Sequence, residues 1–264
     1  MDEVEKHLTA EIQNDHRYVV GLRRYFHMHP EIAREEFNTA KKIEDELDAV
    51  GIAHKRVGET GVYAEIRGTK PGKKTIVLRA DIDALPIQET HACEYMSTVP
   101  GKMHACGHDF HTASLLGAVQ VLKAQEDKLQ GKVRFIFQPA EESNQGARAL
   151  ISEGVLDGVD AIIGFHNKPE LPVGTIGVKE GPLMAAVGQF KAEITGVGTH
   201  AAAPHNGNDP IVTACQVIAN AQAIVARHTS PLEPVVLSVS HIEAGNTWNV
   251  IPEKVFFEGT IRTF

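Results

Sequence analysis

Three short apolar runs, each ending in a side chain that can do chemistry, constrain the fold more than any other feature. Thr75-Ile76-Val77-Leu78-Arg79-Ala80 is largely β-branched and apolar and ends in Asp81 and Asp83. Val133-Arg134-Phe135-Ile136-Phe137 leads into Gln138-Pro139-Ala140-Glu141-Glu142, and Ala161-Ile162-Ile163-Gly164-Phe165 ends in His166. Runs of this length and character read as strands covered on both faces. A helical pattern (Leu115, Leu116, Val119, Val121, Leu122) separates the first two, and a short helix over about 145–153 separates the second from the third. Strand, helix, strand, helix, strand is the order of an α/β domain, with a mostly parallel sheet covered by helices. Ligands of such sheets sit beyond the carboxyl ends of the strands. Asp81, Asp83, Glu141, Glu142 and His166 are therefore expected along one edge.

The loop ahead of the first of these helices reaches the same edge. Met103-His104-Ala105-Cys106-Gly107-His108-Asp109-Phe110-His111 holds a thiol, three imidazoles and a carboxylate. Cys and His are ligand types that borderline divalent metals accept. A thiol just before a helix also loses its proton more easily, because the helix dipole favours negative charge there. Glu141 and Glu142 are adjacent, so their side chains diverge: one carboxylate can bind metal while the other takes a proton from water. Asp81 and Asp83 lie on the same side of an extended chain and can either bind metal or orient a ligand histidine.

The remaining chain supplies the frame. Helices are expected over about 3–28, stopping before Pro30, and over about 38–50, closing at Gly51. Strands at about 61–67 and 75–80 read as a hairpin around Lys70-Pro71-Gly72-Lys73. At Gly181-Pro182 the texture changes: a strand over 188–197, a helix over 209–227, then strands over 234–243 and 255–263 read as a second, smaller α+β domain. The expected division is residues 1–181 and 182–264. A net charge of -8 without a dense basic run excludes a nucleic-acid partner. No apolar stretch is long enough for a membrane span and the N-terminal residues have no signal-type apolar core. Cys93, Cys106 and Cys215 are an odd, scattered set that fits reduced thiols, so the expected location is cytoplasmic.

Together, Arg79-Ala80-Asp81-Ile82-Asp83-Ala84-Leu85-Pro86, the Cys106-Gly107-His108-Asp109 element, Gln138-Pro139-Ala140-Glu141-Glu142, Gly164-Phe165-His166 and Gly198-Thr199-His200-Ala201-Ala202-Ala203-Pro204-His205 resemble the M20 metallopeptidases. More narrowly, they resemble the amidohydrolase branch of aminoacylases, hippurate hydrolases and auxin-conjugate hydrolases. The resemblance implies two divalent metal ions (Mn, Zn, Co or Ni) held by Cys106, His108, Glu142 and His166. It makes Glu141 the general base, with Asp83 supporting the ligands from behind. The smaller domain becomes a ferredoxin-like lid that mediates homodimerisation, and its His200 and Asn249 help to hold the oxyanion. The substrate would be an N-acyl amino acid, cleaved by a metal-activated water.

Family members are longer, and a final ligand histidine arrives near their end; here no histidine follows His241. The sequence therefore also allows a fold incomplete at the C-terminus, and a catalytically impaired fragment that binds metal or associates through the lid. N-acetyl-diaminopimelate deacetylation and dipeptidase specificity stay open, as does a cysteine-nucleophile amidase built on Cys106.

Overall fold

The computed structural model describes residues 3–264 except Asn144, with side chains from His16 onward. Its contacts divide the chain into two compact units, one reaching to Glu170 and one running from Leu171 to Phe264.

The first unit opens with helices α1 (Glu3–Met28) and α2 (Phe37–Ala49). α2 ends where Gly51 takes a φ of 67°, a left-handed position that glycine occupies at little cost. Strands β1 (His54–Val57), β2 (Gly61–Arg67) and β3 (Lys70–Asp81) follow, then α3 (His108–Ala124), β4 (Gln130–Gln138), α4 (Gly146–Ser152) and β5 (Ala161–Gly164). The five strands form one sheet in the order β1-β2-β4-β3-β5. Leu22 and Phe26 of α1, Ile43 and Leu47 of α2, and Leu116 and Val119 of α3 pack on one face, against Val62, Ala64, Phe135 and Phe137. A smaller cluster of Val57, Val77, Ile136, Leu150 and Val155 closes the other face beside α4.

The sheet is mixed rather than mostly parallel. β3 runs parallel to β4 and β5, whereas β1-β2 and β2-β4 are antiparallel. The expected hairpin between β2 and β3 does not form, because β4 occupies the place between them. Residues Lys70–Lys74 continue β3, and Lys70 pairs with Gln130. The hairpin lies one strand earlier, between β1, which the sequence reading missed, and β2. β5 is also not buried: Ile162 is 52% and Ile163 58% exposed, since among the described residues nothing covers them.

In the second unit β6 (Ala186–Thr195), β7 (Thr199–His200), α5 (Pro210–Ala223), β8 (Val236–Ala244), β9 (Val250–Ile251) and β10 (Lys254–Thr263) form an α+β arrangement. The main sheet is antiparallel in the order β6-β10-β8. Alternation sets its faces: Phe190, Ala192 and Ile194 pack with Ala214, Val255 and Phe257, while Gln189, Lys191 and Glu193 are exposed. α5 starts with Asp209, whose carboxylate accepts the N–H groups of Ile211 and Val212, followed by Pro210. Its last residues relax into a π turn over Ile224–His228.

A candidate metal centre at the strand ends

Sheet register brings the chemistry together. Asp81 pairs with Gln138 and Arg79 with Gly164, so β3, β4 and β5 finish at one edge. The first residues past β4 are Pro139, Ala140, Glu141 and Glu142, and His166 follows β5 by two residues. α3 crosses over from β3 to β4 and presents its N-terminus to the same edge. Gly107 makes that entry possible. Its φ is 89°, and a Cβ there would lie 2.4 Å from the Asn167 side-chain oxygen. Only glycine fits between Cys106 and His108 on both counts.

Ligand atoms of Cys106, His108 and His166 lie within 4.8 Å of one another, as do those of His108, Glu141 and Glu142. Cys106 Sγ is 3.3 Å from His166 Nε2, and His108 Nε2 is 3.9 Å from a Glu142 carboxylate oxygen. The Cys106 thiol also meets the Glu142 carboxylate. The two groups share His108, so Cys106 and His166 lie on one side of it and Glu141 and Glu142 on the other.

Hydrogen bonds sort the histidines. His108 Nδ1 donates to the Asp83 carbonyl at 2.8 Å, which leaves Nε2 to face the acids. That Nε2 is buried and has no hydrogen-bond partner. His166 Nδ1 donates to the Asn167 carbonyl at 2.8 Å, leaving its Nε2 directed at Cys106. His111 has both nitrogens committed: Nδ1 to Asp81 at 2.6 Å, and Nε2 as acceptor from the Asn167 N–H at 3.0 Å. His111 is therefore a fully buried strut. Its i,i+3 spacing from His108 on α3 was the available signal. His104 is buried and neutral, its pKa pushed down to about 4 by burial.

The carboxylates divide similarly. Asp81 accepts from His111 and from Arg79 at 2.8 Å; burial opposes its ionisation, yet these partners hold its pKa down to about 2. Asp83 holds two elements at once, since its carboxylate accepts the Glu142 N–H at 3.0 Å and its carbonyl accepts from His108. Asp109 points away from the cluster, into a bond with His27 at 2.7 Å. Burial and the neighbouring Glu142 push Glu141 up. Burial, then the bond and charge of Glu142, push the Cys106 thiol up to about 12. Burial works against charge on His108, but its bond to Asp83 and the charges of Asp81, Asp83 and Glu142 raise its pKa. A proton or a metal cation at His108 Nε2 would answer the same surplus of negative charge. A thiol, a carboxylate and two imidazole nitrogens, one of them buried and without a partner, fit a divalent cation.

His200 and Asn249 belong to the second unit. There β7 pairs with β9, and the Ala201 N–H donates to the Asn249 carbonyl at 3.0 Å, so the two residues are neighbours within that unit.

A profile of the peptidase family M20/M25/M40 matches residues 77–251. The chain belongs to that family. It is 53% identical to the N-acetyl-L-cysteine deacetylase of Bacillus subtilis strain 168 over 94% of this chain and 60% of that protein. It is 44% identical to the N-acyl-L-amino acid amidohydrolase of Geobacillus stearothermophilus over 98% of this chain and 70% of that one. A crystal structure of a dinuclear metal binding M20 peptidase of Bacillus subtilis superposes with a TM-score of 0.80 at 47% identity, covering 96% of this chain and 65% of that one. These relatives place the chain in the amidohydrolase branch of the M20 family, and it spans about two thirds or less of the length of several of them. Among the described residues no helix is long and apolar enough to cross a membrane.

Proposed function

We propose that the chain is the metal-binding catalytic part of an amidohydrolase that cleaves N-acyl amino acids to a carboxylic acid and a free amino acid. The observation that carries this reading is the pair of available Nε2 atoms, on His108 and His166, facing Cys106 and Glu142 with Glu141 beside them. Cys106, His108, Glu142 and His166 would hold the divalent ions. When bound, such ions polarise the amide carbonyl and make water more acidic. Glu141, pushed up by burial and by Glu142, takes the proton of the attacking water and returns it to the leaving amine. Asp83 keeps His108 in one tautomer and holds the main chain at Glu142.

The second unit takes the role of lid and dimerisation domain. The antiparallel sheet order β6-β10-β8, with α5 between β6 and β8 in the chain, supports a ferredoxin-like reading. His200 at the end of β7 and Asn249 just before β9, whose carbonyl accepts from the Ala201 N–H, would supply the oxyanion contacts. A cysteine-nucleophile mechanism has less support: a nucleophilic thiol needs a lowered pKa, and burial together with the acids here raises that of Cys106.

The test is metal uptake and turnover of an N-acetyl amino acid by the Zn²⁺- or Co²⁺-loaded chain, with Glu141→Ala beside it. The variant should bind metal within about threefold of wild type and lose at least about a hundredfold in kcat, the scale of general-base catalysis. Wild-type turnover by Glu141→Ala, or turnover that survives removal of bound metal by a chelator, would sink the reading.

A further inference from the structure

The chain leaves β4 through Pro139 and Ala140 and enters a turn at Glu141, Glu142 and Ser143. Ala140 has a φ of 52°, in the left-handed region where a non-glycine residue costs roughly 1–2 kcal/mol. A conformation of that cost persists when its surroundings impose it. Here both main-chain polar groups of Ala140 are engaged. Its carbonyl accepts from the Gly146 N–H at 3.2 Å, and its N–H donates at 2.8 Å to the carboxylate of Glu36, 104 residues away. The other Glu36 oxygen accepts from the Thr60 hydroxyl at 2.7 Å. Glu36 is 0% exposed. Nothing in the chemistry of the centre uses this carboxylate directly. A buried acid is costly unless it is hydrogen-bonded, and Glu36 is bonded to Ala140 beyond β4, to Thr60 in the β1–β2 turn and to the backbone at Arg34 and Glu36.

We infer that Glu36, at the N-terminus of α2, is a positioning residue that holds Ala140 left-handed and so aims Glu141 and Glu142 at the candidate metal centre. The assignment rests on the amidohydrolase reading above for the purpose of that aim. The turn is gripped from two sides: Glu36 fixes the N–H of Ala140, and Asp83 fixes the N–H of Glu142. Between those two grips lies Glu141, the proposed base.

The experiment compares Glu36→Gln, Glu36→Asp, Glu36→Asp with Ala140→Gly, and Thr60→Val. Gln keeps a carbonyl oxygen for the Ala140 N–H and can donate to Thr60. Asp keeps the charge but is one methylene too short to reach Ala140. Co²⁺ affinity, read by competition with a chromophoric chelator, should fall tenfold or more in Glu36→Asp, the usual scale for a group that orients metal ligands. Glu36→Gln and Thr60→Val should stay within about threefold of wild type. Ala140→Gly, which removes the left-handed penalty, should restore at least threefold of the loss. Amide hydrogen exchange on the metal-free chain gives a second arm. In Glu36→Asp the Glu142 amide, which Glu36 does not touch, should lose protection along with that of Ala140, and Ala140→Gly should return it. Unchanged protection at Glu142 in Glu36→Asp, or equal losses in the Gln and Asp variants without rescue by Ala140→Gly, would overturn the assignment. A wild-type chain that takes up no Co²⁺ would instead overturn the amidohydrolase reading, while the exchange arm still decides the role of Glu36.

Discussion

Behind the proposed metal ligands lies a charge cluster that the proposed reaction does not use, and its titration is set by one imidazole. His27 is buried with Nδ1 2.7 Å from Asp109 and Nε2 3.1 Å from Glu89. Both ring nitrogens face carboxylates, so the doubly protonated ring satisfies both. The bond to Asp109 raises the His27 pKa most; burial opposes it, and the bond to Glu89 adds to it. A group whose pKa is raised in the folded state contributes stability that is complete below its unfolded value, about 6.5, and is lost as pH rises through the folded value. Metal-free wild type should therefore lose part of its urea resistance as the pH rises above about 6.5. His27→Gln, which cannot titrate, should be less stable at pH 6 and show a flatter profile. An unchanged slope in His27→Gln would show that the titration lies elsewhere. Legibility at this scale was uneven. Cys106, His108, Glu141, Glu142 and His166 stood out because each follows or begins a strongly patterned element. Glu36 gave no such sign, since its partner Ala140 is distant in sequence and its role depends on a backbone angle that no residue type announces.

At the scale of elements, β4 is the member the first unit can least lose. It lies between β2 and β3, antiparallel to one and parallel to the other, and ends in the turn that bears Glu141 and Glu142. Phe135 at its middle is 0% exposed and belongs to the cluster shared with α1, α2 and α3. Phe135→Ala should cost about 3–5 kcal/mol in urea unfolding, because the removed ring leaves a cavity that three helices and a sheet cannot all collapse into. A loss below about 1 kcal/mol would mean that the helices repack freely and that β4 does not anchor them. The same strand shows why the fold was only partly readable. Apolar runs and Gly or Pro signals located β2, β4, α3 and the C-terminal half of β3 closely, because those signals are local. Which strand lies beside which is not a local property. The Lys70-Pro71-Gly72-Lys73 segment permits a turn, yet the crossover through α3 lets β4 enter beside β2 and turns the expected hairpin into a mixed sheet. β5 was read as buried for a related reason: an apolar run such as Ile162-Ile163 announces a strand and says nothing of what covers it.

For the molecule as a whole, the two units differ in what metal can do for them. Cys106, His108, Glu142 and His166 all precede Leu171, so any stabilisation by metal through these ligands is confined to the first unit. The chain from Lys168 to Met184 is exposed throughout and forms no helix or strand, and Lys179 offers trypsin a site within it. A ligand that binds only the folded state stabilises it by about 2.7 kcal/mol at a hundredfold excess over its dissociation constant. Under native conditions Zn²⁺ should leave the rate of cutting at Lys179 unchanged, since that site needs no unfolding, and should slow breakdown of the resulting first-unit fragment, which does. The fragment should also retain bound Zn²⁺ through gel filtration. Protection of Lys179 by metal, with no change in the survival of the first unit, would place the ligands in the wrong half of the chain. Equal protection of both would mean that the units unfold as one and that metal held in the first steadies the second.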